Sequence, residues 1–440
     1  MLPYPPDQSA MIAILSFSLS TFLAPQTEAA HWPQWRGPTG DGVAPGTAPR
    51  SWSDGEHVRW KIAVPGRGVS TPIVYGEMLF LTTAVPTDPE AAPPEPEEGG
   101  GRGGGFGQPE EQSFELHCLD RKSGATRWKA VARVATPHEG YHKSYGSFAS
   151  ASPVTDGKHV FVSFGTQGLY AFDFEGKLAW SFDPGVKLEM RNAFGEGLAP
   201  VLAGEVLVQV ADHEKESFAF ALDKKTGKEL WRVKRDEPST WATPLVTTLA
   251  GKQQVVTSGA RKTRSYDPAS GKLLWEAAGA GANAIPTVLR HADSILVMSG
   301  FREAKILAIQ PGKKDGDQPV LWTSTKGCGY TASPVLHGGL YYTVTDRGAL
   351  SCFDAATGQA HYLEERLPRG SQLKSSPIAA GGLLYLPTEA GEVHLVELGP
   401  KYEVLATNVL SEQVFIASPA VAEGALYLRS LTHLVCIADV

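Results

Sequence analysis

The chain has 440 residues, of which 42% are hydrophobic and 20% are charged, and its formal net charge is -7. This apolar content can build a sizeable core, which excludes a protein that is disordered throughout. The 47 glycines and 32 prolines interrupt the chain too often for a helical bundle and favour many short strands joined by turns. Because the charge is mildly acidic and no stripe of Lys and Arg is present, nucleic acid is not expected as a partner.

The first 30 residues predict a targeting segment. The apolar run 11–24 is short for a membrane span, and small residues suitable for signal peptidase follow it, ending at Ala30. No Lys or Arg precedes this run, so Met1 and Met11 both stay open as the start, and an uncleaved membrane anchor is the alternative. We expect residues 1–30 to be a signal peptide. The mature protein is expected to be periplasmic or extracellular, without a transmembrane segment.

Residues 31–51 follow as an N-terminal extension, ahead of a folded domain that we place at 52–440. Within that domain the segment 86–112 contains seven acidic residues and one basic residue, Arg102, together with many Pro and Gly. Such a composition cannot bury enough apolar surface to offset the entropy of ordering. We therefore predict a disordered acidic insertion that acts as a solvated tether, and a recognition role for it is the alternative.

An internal repeat runs through the rest of the chain. A short phrase around a proline recurs eight times, at Pro72, Pro153, Pro200, Pro244, Pro286, Pro334, Pro377 and Pro419. Successive prolines lie 42 to 48 residues apart, except for the first pair, which encloses the insertion. The chain therefore consists of eight units of about 43 residues.

Each unit carries the signals of four short strands. The third strand ends in Asp, and an Asp-x-x-Thr-Gly turn leads to a fourth strand that ends in Trp, as in 223–231. The Asp carboxylate can accept backbone N–H groups in such a turn, and Gly supplies its positive φ. Four strands repeated eight times predict an all-β fold, a single eight-bladed β-propeller of four-stranded antiparallel blades. The last unit lacks its fourth strand, so we expect the N-terminal strand Val58–Lys61 to close the ring and remove the free edge.

The Asp-x-x-Thr-Gly-x-x-x-Trp phrase at this spacing resembles the PQQ-like (quinoprotein-type) β-propeller repeat over residues 52–440. That family includes quinoprotein alcohol dehydrogenases and the outer-membrane assembly lipoprotein BamB. The opening 31–38 is similar to that of exported bacterial relatives without assigned chemistry. The resemblance implies that the repeated tryptophan docks between blades and packs on a glycine peptide of the neighbour. The residues at that position are Trp60, Trp128, Trp180, Trp231, Trp275 and Trp322.

The four cysteines predict neither a disulfide nor a metal site. Cys118, Cys352 and Cys436 share one repeat position, where other units have alanine, so that position requires a small buried side chain. Equivalent positions in different blades are too far apart for a disulfide. Cys328 has no obvious mate, and the absence of a Cys-x-x-Cys motif excludes a zinc ribbon and a c-type haem.

One short motif could indicate a zinc site. The run 138–142 matches His-Glu-x-x-His, in which two histidines on one helix face bind zinc. Gly140 and Gly146 weaken and end such a helix, and no third ligand follows nearby. We therefore expect this segment to be a polar loop at the mouth of the channel, without a metal.

The loops that join the last strand of one unit to the first strand of the next open on one face, around the axis of the propeller. We expect a ligand or partner to bind there and assign no catalytic residue, because no Ser-His-Asp order, phosphate loop or carboxylate pair is evident. For Trp241, packing beneath its own loop is an equal alternative to lining the funnel. The candidate binding residues are His138, Glu139, His142, Tyr145, Arg191, Asn192, Trp241, Asn283 and Tyr330, and the same loops offer Lys374.

Function depends on these loops and not on the repeat. The first hypothesis is an exported, monomeric, non-catalytic module that binds envelope proteins or a small polar ligand at the channel mouth and needs no cofactor. The second is a quinoprotein dehydrogenase with PQQ and calcium on the axis, to which Arg191, Asn192 and Glu196 would contribute. A third hypothesis, a glycan-degrading enzyme, lacks a defensible pair of carboxylates.

Overall fold

A computed structural model of the protein describes Met1 and residues 31–88, 106–312 and 319–439. Eight four-stranded antiparallel sheets follow one another along this part of the chain, accompanied by one two-stranded sheet. The eight sheets are the blades of a β-propeller, which confirms the predicted fold class, blade number and strand number. Among the described residues, no helix has the length and apolarity needed to cross a membrane. The predicted signal peptide lies outside the described residues, apart from Met1.

The first strand of a blade is nearest the axis and the fourth is outermost. Blade 1 consists of Ile73–Tyr75, Met78–Pro86, Gln112–Asp120 and Thr126–Ala135. Blade 2 consists of Val154–Thr155, His159–Ser163, Leu169–Asp173 and Leu178–Phe182. Blade 3 consists of Val201–Ala203, Val206–Ala211, Phe218–Asp223 and Glu229–Lys234. Blade 4 consists of Leu245–Leu249, Lys252–Thr257, Lys262–Tyr266 and Leu273–Ala278.

The remaining blades follow the same order. Blade 5 consists of Leu289–His291, Ser294–Ser299, Lys305–Ile309 and Val320–Ser324. Blade 6 consists of Val335–His337, Leu340–Val344, Ala349–Asp354 and Ala360–Arg366. Blade 7 consists of Ile378–Ala380, Leu383–Pro387, Glu392–Glu397 and Val404–Val409. Blade 8 consists of Ala420–Ala422, Ala425–Arg429, His433–Ile437 and Val58–Ala63. The two-stranded sheet and the 3₁₀ turns are Phe106–Gly107 with Tyr141–His142, and Gly165–Gln167, Arg191–Ala193 and Pro368–Gly370.

The N-terminal strand closes the ring, as predicted. Val58–Ala63 pairs antiparallel with His433–Ile437 and is the outermost strand of blade 8. Blades 8 and 1 are also joined nearer the axis, because Arg429 donates hydrogen bonds to the carbonyl and the hydroxyl of Ser70. Burial lowers the pKa of Arg429 to about 9, since a guanidinium without a carboxylate partner is costly to desolvate. The last and first blades therefore have no free edge between them.

The turn before the fourth strand is built by its Asp and Gly. In blade 3 the Asp223 carboxylate accepts the N–H of Lys225 at 3.1 Å and both the N–H and the hydroxyl of Thr226 at 2.8 Å. Gly227 then takes a φ of 71°, a left-handed conformation that favours glycine. The same Asp bonds recur at Asp120, Asp267 and Asp354.

The repeated tryptophan fastens one blade to the next. The indole Nε1 of Trp128 donates to the carbonyl of Phe174 in blade 2 at 2.8 Å, and its ring lies against Gly176. Trp275 differs, because its Nε1 donates to Gln254 of its own blade at 2.9 Å. The same bond to a carbonyl of the next blade, with the same glycine contact, is made by Trp60, Trp180, Trp231 and Trp322.

The residue opposite this tryptophan is small because the two side chains are cross-strand neighbours. Trp128 pairs with Cys118 and Trp60 with Cys436. Cys352 occupies the same place in blade 6, and all three thiols are buried and free. Desolvation raises the pKa of Cys118 to about 12, so this thiol is a small hydrophobic group and not a nucleophile.

The residue before the repeated proline joins the blades around the axis. The Ser152 hydroxyl accepts a hydrogen bond at 2.9 Å from the backbone N–H of Thr71, which precedes blade 1. The hydroxyls of Ser333, Ser376 and Ser418 accept equivalent bonds from the N–H groups of Thr287, Ser333 and Ser376. A small hydroxyl before proline therefore has a structural reason, since it satisfies a backbone donor of the preceding blade.

Residues 31–51 do not stand ahead of the propeller but cross its centre. Trp32 exchanges two backbone hydrogen bonds with Val74 on the inner strand of blade 1. Further along, Val43 forms a parallel bridge with Ala379 on the inner strand of blade 7. Because the inner strands line the axis, the chain between these two contacts blocks the central channel. The sequence did not indicate this position for the extension.

Arg36 anchors the crossing segment. Its side chain is 1% exposed and donates to the backbone carbonyls of Pro334, Pro377 and, at 3.2 Å, Asp41. Burial lowers the pKa of Arg36 to about 10, which leaves it charged at neutral pH. A guanidinium held by carbonyl dipoles therefore ties the segment to the start of blades 6 and 7.

The predicted acidic insertion lies partly outside the described residues, which stop at residue 88 and resume at residue 106. At its edges Pro86 and Gln112 pair as the last rung between the second and third strands of blade 1. Phe106–Gly107 pairs with Tyr141–His142 in the loop between blades 1 and 2. This end of the predicted insertion is thus strand and not disordered chain.

Substitution Arg36→Leu should destabilise the protein, because it leaves two buried carbonyls and a partly buried one without their donor. We expect a loss of about 2–4 kcal/mol in the free energy of unfolding, measured by urea denaturation. Arg50→Leu in the same segment is the matched control, since Arg50 is exposed and makes one bond to Gly381; it should cost less than about 1 kcal/mol. Equal losses for both variants would contradict the anchoring role of Arg36.

Substitution Gly124→Ala should weaken ring closure. Gly124 has a φ of 73°, and an added Cβ would meet the Trp60 ring at 2.8 Å. We expect a loss of about 1–3 kcal/mol, seen as a lower melting temperature by circular dichroism. Gly55→Ala meets nothing within 4 Å and should change stability by about 0.5 kcal/mol or less. An unchanged melting temperature for Gly124→Ala would show that this contact does not close the ring.

Candidate functional site

A funnel opens on the face where the inner strands begin. Its cavity offers about 160 Å³ of space to water, and Trp35 of the crossing segment forms its inner end. Apart from Trp35 and Ala417, the residues that line it stand one or three positions before a repeated proline. The position one before proline contributes mainly hydroxyls, at Thr71, Ser152, Thr243, Ser376 and Ser418. The position three before proline varies, and contributes Val69, Ser150, Gly197, Trp241, Thr331, Lys374 and Ile416.

One ion pair stands in this wall. Lys374 Nζ lies 2.7 Å from Asp346 Oδ2, and both side chains are mostly buried. The other oxygen of Asp346 accepts the N–H and the hydroxyl of Thr331, at 3.0 and 2.9 Å. Burial raises the pKa of the neighbouring Glu389 carboxyl. Both oxygens of Asp346 are thus occupied, and the ion pair carries no net charge.

Two tyrosines from opposite sides of the ring meet beside this ion pair. Tyr145, from the loop between blades 1 and 2, places its ring centroid 5.3 Å from Lys374 Nζ. Tyr330, from the loop between blades 5 and 6, accepts a hydrogen bond from Asn283 Nδ2 at 3.1 Å. The pKa of Tyr145 is raised, first by burial and then by the nearby Tyr330 hydroxyl. Arg191 is close enough to act electrostatically on Tyr330. The loop of blade 1 therefore reaches across the axis.

The run 138–142 forms no helix. His138 lies in a bend and His142 in a two-residue strand. One ring nitrogen of His138 lies 3.1 Å from the carbonyl of Leu188, whereas the His142 ring stacks on Tyr145 with centroids 3.8 Å apart. Across residues 31–88, 106–312 and 319–439, no three His, Cys, Asp or Glu side chains gather as ligands for a metal ion. The helical arrangement that the zinc motif requires is therefore absent from this loop.

Two half-buried carboxylates anchor the loops that precede and follow blade 2. Glu139 accepts the N–H of Met190 at 3.1 Å, and Glu196 accepts the N–H and the hydroxyl of Thr166 at 2.6 and 2.7 Å. Burial raises the pKa of Glu139 to about 7 and that of Glu196 to about 8, against the opposing effect of these hydrogen bonds. Neither residue lines the axial funnel. They act on the site only through the loops that they connect.

The predicted site residues do not all reach the funnel. Trp241 lines the funnel and also packs under a neighbouring loop, because its Nε1 donates to the carbonyl of Gly195 at 2.8 Å. Asn192 is exposed, with a φ of 51°. Only Trp241 of the predicted residues lines the funnel itself. A second group is linked to Lys374 of its wall through Tyr145 and consists of Tyr145, His142, Arg191, Asn283 and Tyr330. His138, Glu139 and Asn192 belong to neither group.

Sequence reasoning missed Trp35, Asp346 and Glu389. Trp35 belongs to a segment outside the repeat, and nothing in its own sequence shows that the chain folds back through the ring. Asp346 sits in a turn between strands and looks like any turn residue. The available signal was the repeat itself, since the position three before each proline projects to the axis in blade after blade.

The fold family raises the question of PQQ and calcium. Calcium takes six to eight oxygen ligands, usually with several carboxylates. The carboxylate in the funnel wall, Asp346, already has both oxygens engaged by Lys374 and Thr331. Glu196, which the sequence offered as a ligand, does not line the funnel, and both of its oxygens are bonded to Thr166. The donor set among the described residues therefore does not fit this pair of cofactors.

Three solved structures share the fold at low sequence identity. Quinohemoprotein alcohol dehydrogenase from Comamonas testosteroni superposes with a TM-score of 0.60 at 11% identity, over 94% of this chain and 82% of that one. BamB from Moraxella catarrhalis gives 0.54 at 12%, over 76% and 90%. A europium-containing methanol dehydrogenase gives 0.50 at 13%, over 91% and 89%. These likenesses establish the fold alone.

Sequence comparison identifies one relative and the family of the chain. Serine/threonine-protein kinase AfsK of Streptomyces griseus is 27% identical over 247 residues, which are 56% of this chain. The chain spans only 28% of that kinase's length. The family described as outer membrane protein assembly factor BamB matches residues 112–361, more than half of the chain. The chain therefore belongs to this family of PQQ-like β-propeller repeat proteins.

Proposed function

We propose that the protein is an exported, non-catalytic binding module that holds a small polar ligand, or a polar segment of a partner protein, in its axial funnel. The observation that carries this proposal is the funnel itself. Trp35 closes one end, and the mouth lies between Tyr145 and Tyr330. A concave chamber with a few convergent polar groups is the usual form of a ligand site.

The state of the reactive groups supports binding over catalysis. Lys374 and Asp346 neutralise each other, and the carboxylate is fully hydrogen-bonded, so neither is free to act as a base or nucleophile. Burial raises the pKa of the Cys328 thiol to about 12, so it is not a thiolate at neutral pH. PQQ and calcium remain the alternative, but the donors in the funnel wall favour a site that needs no cofactor.

The partner class rests on analogy with the family. The matched family is named for an outer membrane protein assembly factor, and one structure of similar fold is BamB. We extend to this chain a role outside the cytoplasm, as a monomer that contacts envelope proteins. The loops between blades 1 and 2 and between blades 2 and 3 each span 18 residues, against nine to 11 for the other loops on this face. This asymmetry favours the side of blades 1 to 3 for such contacts.

Photo-crosslinking tests the funnel mouth as the binding site. Tyr145→p-benzoylphenylalanine places the probe at the mouth, and Tyr75→p-benzoylphenylalanine places it at the last residue of the inner strand of blade 1, at the end opposite the funnel. In the cells that express the protein, we expect a discrete adduct from position 145 and none from position 75. For a small ligand, native mass spectrometry of the purified protein should show an added mass. Equal labelling at both positions, or neither adduct nor added mass, would contradict the proposal.

The half-buried carboxylates of the loops around blade 2 predict a pH dependence of stability. Glu139 and Glu196 keep their protons in the folded protein to about pH 7 and 8, whereas the unfolded chain loses them near its ordinary value of 4.5. Their contribution is therefore fully present below pH 4.5 and is lost as the pH rises through 8. Glu196→Gln should flatten this decline between pH 5 and pH 8 in urea denaturation, while the exposed Glu175→Gln should not. Parallel pH profiles for the native protein and Glu196→Gln would contradict this assignment.

A further inference from the structure

We propose that the axial funnel binds a neutral sugar, with one pyranose ring inserted against Trp35. The inference rests on the proposed function and names the ligand class for the same site. Four properties of the funnel lead to it: its size, its free hydroxyl donors, its balanced charge and its aromatic inner end.

Size sets the first limit. The cavity has a volume of about 160 Å³, which corresponds to roughly five to ten water molecules. A single hexose ring displaces a similar number of waters. A folded peptide turn or a tricyclic quinone is too large to enter completely and would have to stay in the mouth.

The hydroxyl groups of the funnel wall set a second limit on the ligand, which must offer acceptors to them. Ser152, Ser376 and Ser418 each accept a backbone N–H through their oxygen, and within the described chain their own hydrogens have no acceptor. Thr71 and Thr243 also line the cavity, and within the same part of the chain their hydroxyls make no hydrogen bond. Each hydroxyl has one hydrogen to donate. The wall thus presents several donors around one small space, which suits a ligand with many oxygen atoms.

The balanced charge of the funnel wall disfavours anionic ligands among the oxygen-rich molecules. The Lys374 ammonium in the wall is neutralised by Asp346 at 2.7 Å. An acidic ligand could bond to a free hydrogen of the Lys374 ammonium, but the adjacent Asp346 carboxylate would repel its charge. A sugar hydroxyl can bond to the outer side of the ion pair without separating it. The balance therefore favours a neutral polyol over a carboxylate or a phosphate.

The indole of Trp35 favours a ligand with one flat apolar face. Trp35 is partly exposed to the cavity, while its neighbour Arg36 is buried and holds the segment in place. Trp241 contributes a second indole to the same cavity. The flat face of a pyranose carries C–H groups that pack on an indole, while its hydroxyls point outward to the rim. A rigid tryptophan surrounded by hydroxyl donors matches this division of a sugar into apolar face and polar edge.

The test uses the full chain and a panel of neutral methyl glycosides with their disaccharides. We expect saturable binding of at least one, with a dissociation constant of about 10 μM to 1 mM, and a change in tryptophan fluorescence. Trp35→Leu and Thr243→Val should each weaken binding at least tenfold. Thr248→Val is the matched control, because Thr248 is exposed on the inner strand of the same blade. If Trp35→Leu does not fold, Thr243→Val carries the test, since that hydroxyl has no hydrogen-bond partner among the residues that the structure describes.

The outcomes separate this inference from the proposed function. Crosslinks at position 145 without binding of any glycoside would overturn the sugar and leave the binding module standing. Sugar binding that Trp35→Leu and Thr243→Val leave unchanged would place the sugar elsewhere and overturn this site. Saturable binding of PQQ with calcium, in a protein that binds none of the glycosides, would overturn both the ligand class and the cofactor-free module.

Discussion

The contact between one blade's tryptophan and the next blade's glycine turn is the constraint on which the ring depends. A propeller blade has little contact with other blades except its two neighbours, so each junction must hold separately. At most junctions an indole donates to a carbonyl of the next turn and lies on a glycine whose φ is positive. Only glycine combines that conformation with the absence of a Cβ. The glycine is thus fixed by two demands at once.

Two of the three junctions that lack this contact, those on either side of blade 7, are supported by the N-terminal segment. Ala406 stands in the tryptophan position of blade 7. In compensation, Trp52 is buried in the core that blades 7 and 8 share, and its ring stacks on Tyr385 at 6.5 Å. Arg36 ties together the start of blades 6 and 7, next to the junction where Tyr362 replaces tryptophan. The segment that blocks the channel therefore also reinforces two junctions without the tryptophan contact, those between blades 6 and 7 and between blades 7 and 8.

The repeat could be predicted from the sequence because its signals are local in the chain. Proline spacing, the Asp and Gly of the turn, and the position of tryptophan each act within a few residues, and eight copies reinforce one another. The path of residues 31–51 could not be predicted, because no local pattern specifies which distant carbonyls will surround Arg36. For the same reason Tyr145 was assigned to its loop correctly, but its meeting with Lys374 across the axis depends on a non-local contact.

A pseudo-symmetric funnel cannot discriminate between ligands through the residues that its blades share. The hydroxyls one position before the proline recur around the axis and bind the blades to one another as well. Discrimination must come from the position three before the proline, where Trp241, Thr331 and Lys374 interrupt the series, and from Trp35, which belongs to no blade. Propellers that share 11 to 13% of their residues with this chain keep its fold, so the fold by itself does not determine a ligand. The ligand that we propose for this funnel would accordingly be selected by about four side chains and not by the fold that presents them.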